Sequence, residues 1–331
     1  MNDVTSYQWP IPQISYSFKD EYNEFDNLIP KIDIIESYFE DFFSNKVVLM
    51  PSGRACISAI LKINKISRGD IVWAPKWSSH CVWNNITYFA TPTINFKDTP
   101  KVYLNVHKWG HIHRLKSERF NKNIDILIED SVDSLIVKKN ALFPNNGNYE
   151  IFSLRKIIGS YSGGLLLCKN KNDYVKAKEL QYKNMRLGFE QSYLKYINCA
   201  KPEIINVNNN WHYREYENFS VDINSLDNIQ RCIKNYQINI DICQSRIDIL
   251  KDKGFSVPEQ GGRLVTQALV KENDLNAVDK SLPIRMMNSS KLYDGEEKYE
   301  KHILIPLHFG ITTDSFEKIV SDIKLKNRNN I

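Results

Sequence analysis

The chain has 331 residues, of which 42% are hydrophobic and 25% are charged, as in a folded globular protein whose core needs no disulfides. The 44 basic and 39 acidic residues leave a net charge of +5, and the basic residues are spread along the chain, so we expect no nucleic acid binding. No apolar run approaches the ~18 residues of a membrane span, and Met1–Gln13 lacks the features of a signal peptide. The six cysteines form no CxxC pair, which favours reduced thiols, no metal site and a cytoplasmic location.

The first half of the chain alternates helical patterns with short apolar runs. Apolar pairs recur every four residues over 34–43, and a second apolar face covers 54–64, so both segments are predicted helices. Strands are predicted at 46–50, 70–74, 92–96, 101–106, 124–128, 149–153 and 163–168. Because these runs are almost continuously apolar, we expect an α/β fold around a mostly parallel sheet, with its site at the carboxyl ends of the strands.

The composition changes near residue 200, where a polar segment, 201–210, is rich in asparagine. We therefore expect a large α/β domain over 1–200, with an N-terminal arm, and a smaller α+β domain over 201–331. One long helical stretch is predicted over 223–250, followed near the end of the chain by a strand at 303–307 and a last helix from Asp314.

Four segments of the first half carry candidate chemistry. The turn Ser52-Gly53-Arg54-Ala55 lies between a strand and a helix, where backbone N–H groups can bind phosphate, although an ordinary capped turn has the same pattern. Asp130 ends an apolar strand and could hold a pyridine nitrogen protonated, or could simply be a solvated strand end. Lys156 follows another strand and could form a Schiff base if desolvated, or could be a surface lysine. His107, after a further strand, fits a site residue and a structural histidine equally well.

The order of these segments resembles the DegT/DnrJ/EryC1/StrS aminotransferases, which use pyridoxal phosphate (PLP). The motifs that carry the resemblance are Tyr38-Phe39-Glu40, Ser52-Gly53-Arg54-Ala55, Pro75-Lys76-Trp77, Val106-His107-Lys108-Trp109-Gly110, Glu129-Asp130, Phe152-Ser153 with Lys156, Gly163-Gly164 and Ile305-Pro306-Leu307-His308. The resemblance is strong over residues 35–170 and looser over 220–325. It implies PLP fold type I, with a large α/β domain and a smaller C-terminal one.

The resemblance also implies the roles of individual residues. Lys156 would hold PLP as a Schiff base and move protons, and Asp130 would keep the pyridine nitrogen protonated. The other residues expected to bind the cofactor are Ser52, Gly53, Arg54, Ala55, His80, Asp133 and Ser153. The implied reaction converts a nucleotide-linked keto sugar to an amino sugar, with glutamate as the donor, in polysaccharide or lipopolysaccharide biosynthesis. Members of the family complete their sites across a homodimer, and aromatic clusters at 73–89 and 211–216 fit such an interface.

Several positions depart from the family pattern. Arg54 replaces a hydroxyl residue, Ser153 lies three rather than five residues before the lysine, and Asp133 stands where Gln or His is usual. The usual ring-stacking aromatic aligns with Ser79, so His80 or Trp77 would have to replace it. Two alternatives follow. One is a sugar dehydratase, although its relatives replace the lysine by histidine, and the other is a non-catalytic relative that retains the fold.

Overall fold

The computed structural model describes residues 28–115, 126–185, 217–271, 275–277, 285–293 and 296–325. The elements up to residue 185 are α1 (Leu28–Phe43), β1 (Val47–Met50), α2 (Gly53–Ile63), β2 (Ile71–Trp73), α3 (His80–Phe89), β3 (Thr91–Thr93), β4 (Val102–Val106), β5 (Ile126–Asp130), β6 (Ser134–Ile136), β7 (Tyr149–Ser153), α4 (Leu154–Ile157), β8 (Gly164–Cys168) and α5 (Lys171–Lys183). The later elements are α6 (Ile223–Cys232), α7 (Asn235–Asp252), β9 (Arg263–Val265), β10 (Gln267–Lys271), β11 (Leu275–Ala277), β12 (Arg285–Tyr293), β13 (Glu296–Pro306), α8 (Thr313–Asp322) and β14 (Lys324–Leu325).

A seven-stranded sheet in the order β1-β8-β7-β5-β4-β2-β3 forms the centre of the first half. The strands β2, β3, β4, β5 and β7 are paired in parallel, whereas β8 runs antiparallel to both of its neighbours, β7 and β1. The carboxyl ends of β1, β7, β5 and β4 therefore share one edge of the sheet with the amino end of β8. The predicted mostly parallel α/β sheet is confirmed, and this edge is where such sheets bind ligands.

Both faces of the sheet are covered, as the continuous apolar strands predict. In β8, Leu165 and Leu167 pack into the cluster that contains α1, α6 and α7, while Leu166 and Cys168 pack into the cluster that contains α2 and α3. The alternation follows from the two-residue period of a strand. Each of these β8 side chains is at most 5% exposed.

The outer edge of β1 is closed by polar side chains rather than by another strand. Glu36 of α1 accepts a hydrogen bond from Leu49 N–H at 2.8 Å, and Gln181 of α5 donates to Leu49 O at 2.6 Å. Lys178 bonds to Glu36 at 2.6 Å and to Gln181 at 2.7 Å, so the buried carboxylate is neutralised. Because the N–H and carbonyl of Leu49 are already hydrogen-bonded, they are not available to pair with a further strand.

The second half adds helices and small antiparallel sheets to the same core. β10, β13 and β12 form a three-stranded sheet, and β9 pairs with β6, which follows Asp130 closely in the chain. Apolar residues of α6, α7, β10, β13 and α8 belong to one cluster with α1, β1 and β7. The domain boundary predicted at residue 200 lies outside the described residues.

Two predictions of local structure are wrong. The strand predicted at 92–96 ends at Thr93, because Asn95 caps a 3₁₀ turn at Phe96–Asp98 through a 3.0 Å bond from Lys97 N–H. The helix predicted over 223–250 is two helices, broken after Cys232, where Tyr236 N–H bonds to Ile233 O, three residues back rather than four. None of the helices in the described ranges is long and apolar enough to span a bilayer.

Candidate active site

The turn after β1 is the candidate phosphate site. Ser52 is the N-cap of α2, and its Oγ accepts a hydrogen bond from Ala55 N–H at 3.1 Å. The hydroxyl keeps its own proton to donate, and the N–H of buried Gly53 lies among those that α-helix geometry leaves without an intrahelical acceptor. Asn85 of α3 donates to the carbonyl of Arg54 at 2.6 Å and so fixes the first turn of α2.

Gly164 lets this turn approach the sheet. A Cβ atom there would lie 2.4 Å from the carbonyl carbon of Ser52 and 2.7 Å from the nitrogen of Gly53. Gly163, with a φ of 105°, donates to Pro51 O at 2.7 Å. The glycine pair that the resemblance selects thus forms a cradle that any larger residue would fill.

Asp130 ends β5 and is 4% exposed. Its Oδ1 accepts a hydrogen bond from Val132 N–H at 3.2 Å. Burial raises the pKa of Asp130 to about 6, the charge of Lys156 opposes that rise, and the charge of Asp133 adds to it. A desolvated carboxylate of this kind gains stability from a cation placed beside it.

Lys156 lies in α4, the single helical turn that follows β7. Its Nζ is 3.0 Å from Oδ1 of Asp133, and the two side chains are 21% and 7% exposed. Trp109 N–H donates to Oδ2 of Asp133 at 3.3 Å, and Thr266 Oγ1 donates to its carbonyl at 3.1 Å. Asp133 therefore joins the lysine to the loop after β4 and to the turn between β9 and β10.

His107 has a structural role. Its Nδ1 accepts from His113 N–H at 3.1 Å, so its Nε2 carries the proton and donates to Glu129 Oε2 at 3.0 Å. Although burial works to raise it, hydrogen bonds from His107, Asn145 and Gly147 hold the pKa of Glu129 below its usual value. Glu129 and Asp130 are adjacent in a strand and so face opposite sides of the sheet, which separates His107 from the candidate site.

The two aromatic candidates for the cofactor ring differ in their surroundings. His80 is exposed at the start of α3, and its Nδ1 faces Asn84 Nδ2 at 3.3 Å. Trp77 is half-buried, with Lys108 Nζ 4.7 Å from its ring centroid, and its buried Nε1 has no hydrogen-bond partner among the described residues. Because Lys108 precedes Trp109, Trp77 is the candidate linked to the loop that contacts Asp133.

A buried polar network that the sequence did not reveal supports the turn next to Asp130. Arg263 forms an ion pair with Glu150, and both side chains are fully buried. Arg263 also donates to Ser131 Oγ at 2.8 Å, and Ser131 donates to Glu150 at 2.6 Å. This network fixes the turn between Asp130 and Asp133. A charged residue, Glu150, within an otherwise apolar strand was the one available signal.

Comparison with known proteins identifies the family. Residues 35–328 match the family model described as "Putative PLP-dependent aminotransferase". The chain belongs to this family. No curated protein sequence matches the chain. Among solved structures, "Putative sugar aminotransferase Spr1654" from Streptococcus pneumoniae is similar in its PMP form, with 14% identity, a TM-score of 0.61 and 95% of each chain covered.

Two further solved structures share the fold at equally low identity. A DegT DnrJ EryC1 StrS aminotransferase from Brucella abortus has 14% identity and a TM-score of 0.54, covering 91% of this chain and 93% of that one. DesV from S. venezuelae, solved with a ketimine intermediate, has 12% identity and a TM-score of 0.57, covering 95% of this chain and 97% of that one. The fold is therefore that of PLP-dependent aminotransferases, and PLP is the cofactor that family membership assigns.

The residues at the sheet edge fit PLP. A buried carboxylate suits the pyridine nitrogen, a lysine within the same cluster suits the aldehyde, and a glycine-lined turn at the start of an 11-residue helix suits the phosphate. These groups come from three strand ends that share one edge. The predicted roles of Lys156, Asp130, Ser52 and Gly53 are compatible with this arrangement, whereas that of Ser153, half-buried at the end of β7, remains a prediction.

Proposed function

We propose that this PLP-dependent aminotransferase transfers an amino group to the keto group of a nucleotide-linked sugar, with Lys156 and Asp130 as its catalytic residues. The observation that carries the proposal is the joint placement of the two side chains. Asp130 is buried and Lys156 lies close enough for its charge to act on the Asp130 carboxylate, at the carboxyl edge of the sheet.

Lys156 has the geometry of a group that can move a proton. Its side chain is 21% exposed, and Oδ1 of Asp133 lies 3.0 Å from Nζ. We propose that Lys156 binds the cofactor between turnovers and, once displaced by the amino donor, carries a proton between the donor carbon and the cofactor.

Asp130 and the Ser52 turn would hold the cofactor at its two ends. PLP, when bound, supplies an electron sink for the carbanion formed at the substrate carbon. Asp130 would keep the pyridine nitrogen protonated, while Ser52, Gly53, Arg54 and Ala55 would bind the phosphate. Asp133 would lie beside the ring hydroxyl, and Trp77 or His80 would cover the ring.

The substrate class rests on the relatives. A solved structure described as a putative sugar aminotransferase shares this fold, and so does one described as a DegT DnrJ EryC1 StrS aminotransferase. We propose glutamate as the amino donor and an amino sugar for polysaccharide or lipopolysaccharide biosynthesis as the product. A cytoplasmic homodimer completes the proposal, and the five described cysteines, all free thiols, fit that compartment.

The proposal is tested by incubating the purified protein with glutamate and a panel of nucleotide-linked keto sugars, with 2-oxoglutarate formation as the readout. We expect transfer by the wild type and none by Lys156→Ala. Lys169→Ala, which removes an exposed lysine bonded to Asn146, is the matched control and should stay active. Borohydride reduction followed by peptide mass spectrometry should find the cofactor on Lys156.

Three results would contradict this proposal. Cofactor found on Lys138, Lys139 or Lys169 would overturn the assignment of the lysine. Loss of water from the sugar without amino transfer would favour the dehydratase. A wild-type protein that binds no PLP, and so has no visible absorption band, would favour the non-catalytic relative.

A further inference from the structure

Two arginines follow the carboxyl ends of the two strands that flank β8. β1 and β7 flank β8, and Met50, Gly164 and Ser153 are aligned across the three strands. Because neighbouring strands lie about 4.8 Å apart, the ends of β1 and β7 are separated by about 10 Å. Arg54 follows the first end and Arg155 follows the second.

Tight packing brings the two segments closer still. A Cβ atom on Gly53 would lie 3.8 Å from the carbonyl oxygen of Phe152, which precedes Ser153. The carbonyl of Gly163 accepts a hydrogen bond from Leu154 N–H at 3.0 Å, and the N–H of Gly163 donates to the carbonyl of Pro51. Gly163 thus ties the turn that contains Arg54 to the helical turn that contains Arg155.

The side chains of Arg54 and Arg155 interact electrostatically. Both arginines are half-buried, where like charges are screened less than in water. Burial, and then the charge of Arg54, lower the pKa of the Arg155 guanidinium. Two cations held in this way are stabilised by an anion that contacts both.

We propose that Arg54 and Arg155 bind the cofactor phosphate together and replace the hydroxyl group that position 54 lacks. The inference rests on the proposed assignment of the Ser52 turn as the phosphate site, and it adds Arg155, which the sequence analysis did not select. The phosphate of PLP carries close to two negative charges, which two guanidinium groups neutralise. Each guanidinium offers paired N–H donors that match the oxygen spacing of a phosphate.

The arrangement explains two departures of this chain from the family pattern, which are the arginine at position 54 and the shorter segment before Lys156. Ser52 Oγ already accepts a bond from Ala55 N–H, so its one remaining proton is a small contribution to a dianion. Arg155 stands between Ser153 and Lys156, where the chain is two residues shorter than the family pattern. A long cationic side chain can reach the phosphate from a position where a serine hydroxyl cannot.

The test compares the affinities for PLP and for pyridoxal, which lacks the phosphate, by equilibrium dialysis with absorbance detection. The variants are Arg54→Gln and Arg155→Gln, and the control is Arg68→Gln, which removes an exposed arginine before β2. We expect each test variant to weaken PLP binding by about 10–100-fold, the usual loss of a charged hydrogen bond. Pyridoxal binding should stay within about 3-fold of the wild type, and the control should change neither ligand.

The outcomes separate this inference from the proposed function. Variants that bind PLP as tightly as the wild type, or that lose PLP and pyridoxal equally, overturn the inference alone. A wild type that binds PLP no better than pyridoxal overturns the phosphate site itself. If Arg155→Gln does not fold, as judged by circular dichroism, Arg155→Lys decides, because a point charge cannot reproduce the paired donors and PLP affinity alone should fall.

Discussion

Asp130 and Asp133 lie three residues apart, yet the fold gives them different partners. Asp133 has Lys156 at 3.0 Å and the N–H of Trp109 at 3.3 Å. Among the described residues, Asp130 accepts a hydrogen bond from Val132 N–H, and it is 4% exposed. Asp133 therefore has its cation within the chain, whereas we propose that the pyridinium of the cofactor is the direct partner of Asp130, beside the charge of Lys156.

This difference predicts that Asp130 lowers the stability of the cofactor-free protein. A carboxyl group with a folded-state pKa of about 6, against 3.8 for its usual value, binds more protons when folded than when unfolded between those two values. Stability therefore falls as the pH rises from about 4 to about 6, and the full cost persists above that window. At pH 7–8 we expect the free energy of unfolding of cofactor-free Asp130→Asn to exceed that of the wild type by on the order of 2–3 kcal/mol, as measured by urea unfolding.

The same variant should lose catalysis. Asn cannot hold the pyridine nitrogen protonated, so we expect PLP to stay bound while transfer slows by orders of magnitude. A rate within about tenfold of the wild type, under ~1.4 kcal/mol of barrier, would show that Asp130 is only structural. A stability gain that persists below pH 4 would show that desolvation of the charge is not its cause.

Single residues could be selected as candidates where chain order carried the information. Lys156, Asp130 and the glycine pair could be selected because motif order is independent of folding. The pairing of Asp133 with Lys156 and the Arg263–Glu150 bridge could not, because each depends on contacts between distant segments. The role of His107 also needed the structure, since only the acceptor contact at Nδ1 decides between the two interpretations.

At the scale of elements, β8 determines how close the turn at Ser52 and Gly53 can lie to the sheet. β8 is the antiparallel strand between β1 and β7, and it begins with Gly164 at the level of the last residues of both neighbours. The atoms that a Cβ at Gly164 would meet are backbone atoms of Ser52 and Gly53, which cannot rotate away.

Gly164→Ala should therefore displace the Ser52 turn, which we propose binds the cofactor phosphate. We expect a loss of about 1–3 kcal/mol in the free energy of unfolding, the usual cost of overpacking, together with weaker PLP binding. Gly69→Ala is the control, because its Cβ would meet only Ser67 Oγ, at 3.9 Å. Unchanged unfolding and unchanged PLP affinity in Gly164→Ala would mean that the turn can move freely, contrary to the packing described above.

Most elements followed from periodicity, and the exceptions have local causes. Buried strands such as β1, β7 and β8 were predictable because a short, continuous apolar run is typical of a strand that is covered on both faces. The strand at 92–96 was predicted too long because Asn95 forms a side-chain cap that the pattern of apolar residues does not reveal. The break after Cys232 was missed because apolar spacing continues through it.

At the scale of the whole molecule, the two halves of the chain share one core. Leu264 and Val265 of β9 pack in the same cluster as Leu135 and Ile136 of β6, and Thr266 contacts Asp133. The position of Lys156 thus depends on contacts from residues more than 100 positions later in the sequence. Composition suggested a division near residue 200, but it could not reveal this shared core.

The aromatic stretch around α3 is divided between core and surface. Trp73 is 1% exposed and stacks on Phe96 with ring centroids 4.1 Å apart, so it belongs to the core and not to an interface. Tyr88 is 44% exposed and lies at the end of α3, beside half-buried Phe89. Trp211, Tyr213 and Tyr216 lie outside the described residues. An interface prediction therefore rests on α3.

We predict that the protein is a homodimer with α3 at its interface. Exposed aromatic residues are typical of interfaces, twofold dimers are the commonest oligomers, and α3 begins just after Trp77. Light scattering at micromolar concentration should give about twice the 38.6 kDa of one chain. Tyr88→Glu should shift the mass toward the monomer and reduce transfer, because a buried charge opposes association. Tyr182→Glu, at a 43% exposed tyrosine on α5, should do neither. A monomer that keeps full transfer activity on dilution would contradict the shared site, and a dimer unaffected by Tyr88→Glu would place the interface elsewhere.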